Sequence, residues 1–198
     1  FDLDGTLADT APDLIGAINR SRKKAGLSNI SFEQLRPLVS LGIDTLVRHG
    51  FNTADQNVIT EKKDEVLEDY KKNIALTTRL FEGFEKVLEE LEHGGLPWGI
   101  VTNKPTYLTT ALLDALDLKK LAACVIAGDT LSYSKPHPAP LLKAARDICV
   151  DPSDCLYVGD SESDVIAAKA AGMRVLVALY GYIGEHECPV KWGATGTI

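Results

Sequence analysis

The sequence predicts an α/β protein, a parallel sheet flanked by helices, with a small all-helical segment inserted after the first strand. From Leu80 onward, short apolar runs alternate with helical patterns. Between about residues 11 and 78 the patterns are helical only. The acidic, hydroxyl and basic residues that could carry chemistry fall where predicted parallel strands end, which is where open α/β sheets build their sites.

The strand candidates are Trp98-Gly99-Ile100-Val101, Cys124-Val125-Ile126-Ala127, Cys155-Leu156-Tyr157-Val158 and Val175-Leu176-Val177-Ala178. They are short and mostly rich in β-branched residues, as strands covered on both faces are. Helices are predicted near 84–93, 106–116, 138–148 and 163–171, with Gly94-Gly95 stopping the first and Gly172 the last. In the helical block, Thr10-Ala11-Pro12-Asp13, Ser31-Phe32-Glu33-Gln34 and Thr53-Ala54-Asp55-Gln56 each read as a helix start with a side-chain cap. This block falls between the first strand and the second. Residues 1–10 and 79–198 therefore read as a Rossmann-like core and residues 11–78 as a helical cap. The chain opens on Phe1 directly ahead of a motif that needs a strand before it, so the first strand is expected to be cut short. A closing element beyond Ile198 is expected as well.

Composition narrows the function. With 198 residues, 45% of them apolar, the chain can fill one large domain carrying a smaller insertion. Cys124, Cys149, Cys155 and Cys188 are scattered, with no C-x-x-C pair and no zinc-like pairing with the four histidines, which points to reduced thiols. No apolar run approaches the length that spans a bilayer, and the expected location is cytoplasmic, as monomer or homodimer. The 21 basic and 28 acidic side chains give a net charge of -7, which opposes general adhesion to nucleic acid or to an acidic membrane. An anionic substrate must be held by local chemistry.

Four motifs supply such chemistry. Asp2 and Asp4, in Phe1-Asp2-Leu3-Asp4-Gly5-Thr6-Leu7, project to the same side of an extended chain before Gly5 permits a turn. Alone, they fit a nucleophile with its acid, or equally a strand-ending turn. Thr102-Asn103-Lys104-Pro105 offers a hydroxyl and backbone N–H groups at a helix N-terminus, a phosphate cradle or a plain cap. Lys135, in Ser134-Lys135-Pro136-His137-Pro138, could neutralise a transferring phosphoryl group or lie in solvent. Gly159-Asp160-Ser161-Glu162-Ser163-Asp164 holds carboxylates suited to magnesium, or a plain acidic helix start. Together they form a complete set for phosphoryl transfer to or from a small phosphorylated metabolite.

In order and spacing these residues resemble the haloacid dehalogenase superfamily of phosphatases: Asp2 to Thr6, then Thr102, then Lys135, then Gly159 to Asp164. The resemblance implies that Asp2 is the nucleophile and Asp4 the acid and base, and that Thr102, Asn103 and Lys135 bind phosphate. It implies Mg2+ held by Asp2, the Asp4 carbonyl and Asp160, with Asp164 close by. An acid at Asp4 argues against dehalogenation. Val101 to Pro105, Gly128-Asp129-Thr130-Leu131, Lys135 to Pro138 and Tyr180-Gly181-Tyr182 are similar to phosphoglycolate phosphatases. Trp98-Gly99-Ile100, Leu38 to Gly42 and Gly172-Met173 lean toward relatives acting on N-acetylmuramic acid 6-phosphate.

Specificity is expected from the cap, with Arg36, Ser40, Gly42 and Arg48 as candidates and Arg36 placed to pair with a substrate carboxylate. Arg20, Arg22, Lys23 and Lys24 read as a solvated face. Trp98, Trp192 and His137 read as structural. Two other readings use the same residues: a phosphosugar mutase of the same fold, and a non-catalytic phosphate-binding module.

Overall fold

In the computed structural model, which describes all residues from Phe1 to Ile198, the chain leaves the sheet after β1 (Ala8–Asp9) and returns at β2 (Arg79–Leu80). The two strands pair antiparallel, Ala8 with Leu80 and Asp9 with Arg79, so the intervening residues start and end at one place. Between them lie α1 (Ala11–Lys24), α2 (Phe32–Leu35), a 3-10 turn (Arg36–Leu41), α3 (Ile43–Gly50) and α4 (Gln56–Lys72).

Periodicity explains their packing. Helix α1 buries Leu14, Ile15, Ala17 and Ile18, and α4 buries Ile59, Val66 and Tyr70, each set lying along one helical stripe. These stripes join Leu35, Val39, Leu46 and Val47 in one apolar cluster. The return of the chain is fastened by Asp13, whose carboxylate accepts hydrogen bonds from the backbone N–H and hydroxyl groups of both Thr77 and Thr78.

Of the three predicted helix starts, Ser31 forms the reciprocal cap with Gln34. The other two differ. The Thr10 hydroxyl donates to Asp4 Oδ1 over 2.5 Å, and Thr10 does not cap because its backbone, with φ of -95° and ψ of -9°, is helical and not in the extended region a side-chain cap needs. Asp55, not Thr53, caps α4 by accepting from the Asn57 N–H at 2.8 Å. The basic face predicted on α1 is also partly engaged. Arg20 pairs with Asp69 at 2.6 Å, and Arg22 donates to the carbonyls of Ser28 and Gly50.

Beyond β2 the chain alternates as α5 (Phe84–His93), β3 (Gly99–Val101), α6 (Thr106–Ala115), β4 (Cys124–Ile126), α7 (Ala139–Asp147), β5 (Leu156–Gly159), α8 (Glu162–Ala170) and β6 (Arg174–Val177). The strands form two parallel pieces, β3 with β4, and β5 with β6 and β7 (Gly196–Thr197). The edge strand β7 was not expected, since two residues carry no alternation to read.

Phe1 and Asp2 lie between the two pieces. The Val101 N–H donates to the Phe1 carbonyl at 2.9 Å, and the Asp2 N–H donates to Val158 at 2.8 Å. Asp2 is thereby fixed beside the carboxyl ends of β3 and β5. Trp98 is a packing residue, with Phe1 edge-on to both it and Phe84. His137 orders its own loop, Nδ1 accepting from the Ala139 N–H. All four cysteines are free thiols, and no helix is long and apolar enough to cross a membrane.

Candidate active site

Asp2 and Asp4 both open onto a cavity of about 400 Å³ between the helical segment and the carboxyl ends of the strands. Gly5, with φ of 81°, turns the chain immediately after them. A Cβ there would overlap the Asp160 carboxylate, so the close approach of these two motifs needs glycine as much as the turn does.

Lys135 is the centre of the polar network. Its Nζ lies 2.8 Å from Asp2 Oδ1 and 2.7 Å from Asp164 Oδ1, and also reaches the Val101 carbonyl and the Tyr157 hydroxyl. Burial alone would lower this ammonium, but Asp164 and Asp2 outweigh burial and hold it above its ordinary value. The Asn103 side chain brackets the same residue, donating to the Lys135 carbonyl at 2.9 Å and accepting from its N–H at 3.0 Å. Asn103 thus ties two strand-end loops together. The Thr102 hydroxyl accepts from the Lys104 N–H at 3.1 Å and faces the cavity.

Carboxylate oxygens of Asp2, Asp160 and Asp164 lie within 4.8 Å of one another, all buried. Burial pushes the Asp2 carboxyl up to about 7; Lys135 opposes this, while Asp164 and Asp160 add repulsion. Burial likewise pushes Asp160 up to about 6, with repulsion from Asp164 added and hydrogen bonds from the Tyr182 N–H and Ser40 opposing. Asp2 Oδ1 has no aligned hydrogen-bond donor despite its burial. Mutually repelling, buried carboxylate oxygens suit a hard divalent cation such as magnesium.

Asp164 is committed on both oxygens. Oδ2 accepts from the Ser161 N–H and hydroxyl, completing a capping box on α8, while Oδ1 faces Lys135. The helix-start reading of that acidic stretch therefore holds for Asp164. The Asp4 carboxylate stands apart from the cluster. Its Oδ1 takes hydrogen bonds from Thr10 and from Lys104 at 2.8 Å.

The structure does not bring Arg36 to the cavity. Its guanidinium donates to the carbonyls of Tyr180 and Gly181 and lies 5.0 Å from the centroid of the Tyr182 ring. Arg48 is exposed on α3, away from the site. Ser40 and Gly42 do line the cavity, and the Ser40 hydroxyl donates to Asp160 Oδ2 at 2.8 Å. Sequence reasoning missed Lys104, Tyr70, Thr10 and Tyr157. Lys104 lay inside a quoted motif, but nothing in its spacing distinguished it from a surface lysine.

A larger cavity of about 710 Å³ lies between β3 and β5. Its lining is mostly apolar and contains no basic side chain, so it is no phosphate site.

Comparison with known proteins agrees with this geometry. Residues 1–178 match the model of the haloacid dehalogenase-like hydrolase family. The chain is 44% identical to the phosphoglycolate phosphatase of Xylella fastidiosa, over 98% of this chain and 85% of that one. It is 35% identical to the N-acetylmuramic acid 6-phosphate phosphatase of Pseudomonas putida, over 98% and 87%. The crystal structure of a "predicted phosphoglycolate phosphatase" from Haemophilus somnus superposes with a TM-score of 0.88 at 29% identity, covering 100% of this chain and 91% of the other.

Proposed function

Because the chain belongs to the haloacid dehalogenase-like hydrolase family and is a phosphoric monoester hydrolase, we propose that it cleaves a small phosphate ester through an aspartyl-phosphate on Asp2. The reading is carried by the convergence of Asp2, Asp4, Thr102 and Lys135 on one cavity. They come from separated parts of the sequence and supply a nucleophile, an acid, a hydroxyl donor and a cation.

In the first step an Asp2 carboxylate oxygen bonds to phosphorus as the ester P–O bond breaks, and the leaving oxygen takes a proton from Asp4. In the second step Asp4 takes a proton from water. The water oxygen bonds to phosphorus, the bond to Asp2 breaks, and inorganic phosphate leaves. Lys135 and Thr102 hold the phosphoryl oxygens throughout. Asn103 keeps Lys135 in place. Asp2, the Asp4 carbonyl and Asp160, with Asp164 nearby, would hold magnesium, which would supply positive charge to offset the negative charge of the phosphoryl oxygens.

We assign residues 11–78 to a cap over a core of residues 1–10 and 79–198. The β1–β2 ladder, both strands of which belong to the core, brings the two ends of the cap together, and the cap shields the reaction from water. Candidate substrates are 2-phosphoglycolate and N-acetylmuramic acid 6-phosphate, after the named relatives. The test is kcat/KM for both, side by side with simple sugar phosphates and with magnesium present. Free phosphate released in step with ester loss supports hydrolysis. Phosphate returned to the sugar, as in a mutase, or binding without turnover, contradicts it.

A further inference from the structure

The cavity holds a second polar cluster that phosphoryl transfer leaves unused. Lys104, at the strand-to-helix turn after β3, and Tyr70, near the end of α4, approach each other from the two sides of the cleft. Lys104 Nζ is 4.7 Å from the centroid of the Tyr70 ring, and only 7% of its side chain is exposed. Its one hydrogen-bonding contact is Asp4 Oδ1, although an ammonium has three donors. Tyr70 is fully buried, and its hydroxyl, set beside the Lys104 ammonium, donates to no acceptor.

Unpartnered donors are rare in places shielded from water, because each has lost its hydration without compensation. Lys135 is committed to Asp2 and Asp164 on the phosphoryl side. Lys104 is the cation on the Asp4 side, where the leaving alcohol departs. The remaining lysine of the lining, Lys63, is held by Asp44 at 2.8 Å. Arg36, the residue expected to meet a carboxylate, is spent on the carbonyls of Tyr180 and Gly181.

Resting on the phosphatase reading above, we propose that Lys104 and Tyr70 form a subsite for a carboxylate on the leaving alcohol. Lys104 is then the specificity-determining residue. Because Lys104 touches the residue that protonates the ester oxygen, the carboxylate must lie within a few bonds of that oxygen. The preferred substrate is a compact phosphorylated 2-hydroxy acid. A sugar whose acid group stands across the ring from its phosphate does not meet this requirement.

The test compares 2-phosphoglycolate with 2-hydroxyethyl phosphate, an analogue of similar size with an uncharged hydroxymethyl group in place of the carboxylate, in wild type, Lys104→Met and Tyr70→Phe, with magnesium present. Wild type is expected to prefer 2-phosphoglycolate by about 10- to 100-fold in kcat/KM, the scale of a charge-assisted contact. Lys104→Met should collapse that ratio toward one, chiefly by raising KM for 2-phosphoglycolate. Tyr70→Phe, the milder change, should lower the ratio about fivefold, as expected for loss of one hydrogen bond. If Lys104→Met slows both substrates equally and the ratio survives, Lys104 merely positions Asp4 and the subsite is refuted. A wild-type enzyme that hydrolyses both esters equally well also overturns the subsite but leaves the phosphatase reading standing. Turnover of neither ester, nor of p-nitrophenyl phosphate, overturns that reading and the subsite with it.

Discussion

Lys135 Nζ lies 2.7 Å from Asp164 Oδ1, deep in the protein, with 3% of the lysine side chain and none of the aspartate exposed. This pair joins the loop after β4 to the first turn of α8. It also places the cation beside Asp2.

Lys135→Met should therefore damage both stability and turnover. Breaking a buried ion pair leaves a carboxylate uncompensated, at about 3–5 kcal/mol. Losing a preorganised cation costs about 100- to 1000-fold in kcat. Chemical denaturation and steady-state kinetics on the same preparation read the two effects. A variant that keeps wild-type kcat contradicts the assigned role.

Gly5→Ala should remove the metal site while changing only one methyl group. The added carbon overlaps the Asp160 carboxylate, and φ of 81° disfavours any residue with a side chain. Thermal melts with and without magnesium check this. Wild type should melt higher with magnesium, by an amount set by its saturation. The variant should melt lower and gain little. An equal magnesium shift in both proteins would show that Asp160 is no ligand.

Asp13 predicts how the fold responds to acid. Burial alone would raise its carboxyl, but hydrogen bonds from Thr77 and Thr78 outweigh burial and hold it below the ordinary value. A carboxyl depressed in the folded state stabilises the protein above the unfolded carboxylate range, near about pH 4. That contribution is lost as pH falls through the folded value. Asp13→Asn should be less stable than wild type at neutral pH, with the gap closing below about pH 4. Urea denaturation across pH 3 to 7 measures it, and a gap independent of pH counts against the account.

Tyr182→Phe tests the tie between the core and the start of α1. The hydroxyl donates to Asp9 at 2.7 Å and accepts from the Ala11 N–H at 2.9 Å. Deleting it leaves a buried N–H unpaired, at about 1–3 kcal/mol. Denaturant midpoints report this, and an unchanged midpoint would exclude the tie.

Much of this was legible before any coordinates. The four strands from Trp98 to Ala178 announced themselves by β-branched apolar runs, and their helices by spacing and glycine stops. Asp2, Asp4, Thr102, Lys135 and Asp160 could be named because each sits where a strand hands over to a turn or helix. Contacts between distant segments were not legible. Arg36 looks like a ligand-seeking cation, yet it satisfies two backbone carbonyls from a loop well over a hundred residues away. Lys104 looks like a surface residue because the aromatic ring that shields it comes from the other side of the cleft. Thr10 looks like a helix cap, and only the fold shows its backbone in the helical region and its hydroxyl turned to Asp4.

The central claim is that Asp2 forms a covalent bond to phosphorus, and Asp2→Asn tests it most directly. Release of inorganic phosphate from 2-phosphoglycolate should be followed with magnesium present, alongside circular dichroism of the same sample. The account predicts no detectable turnover in a protein whose spectrum and melting cooperativity match wild type. Wild-type-like phosphate release from Asp2→Asn would contradict it.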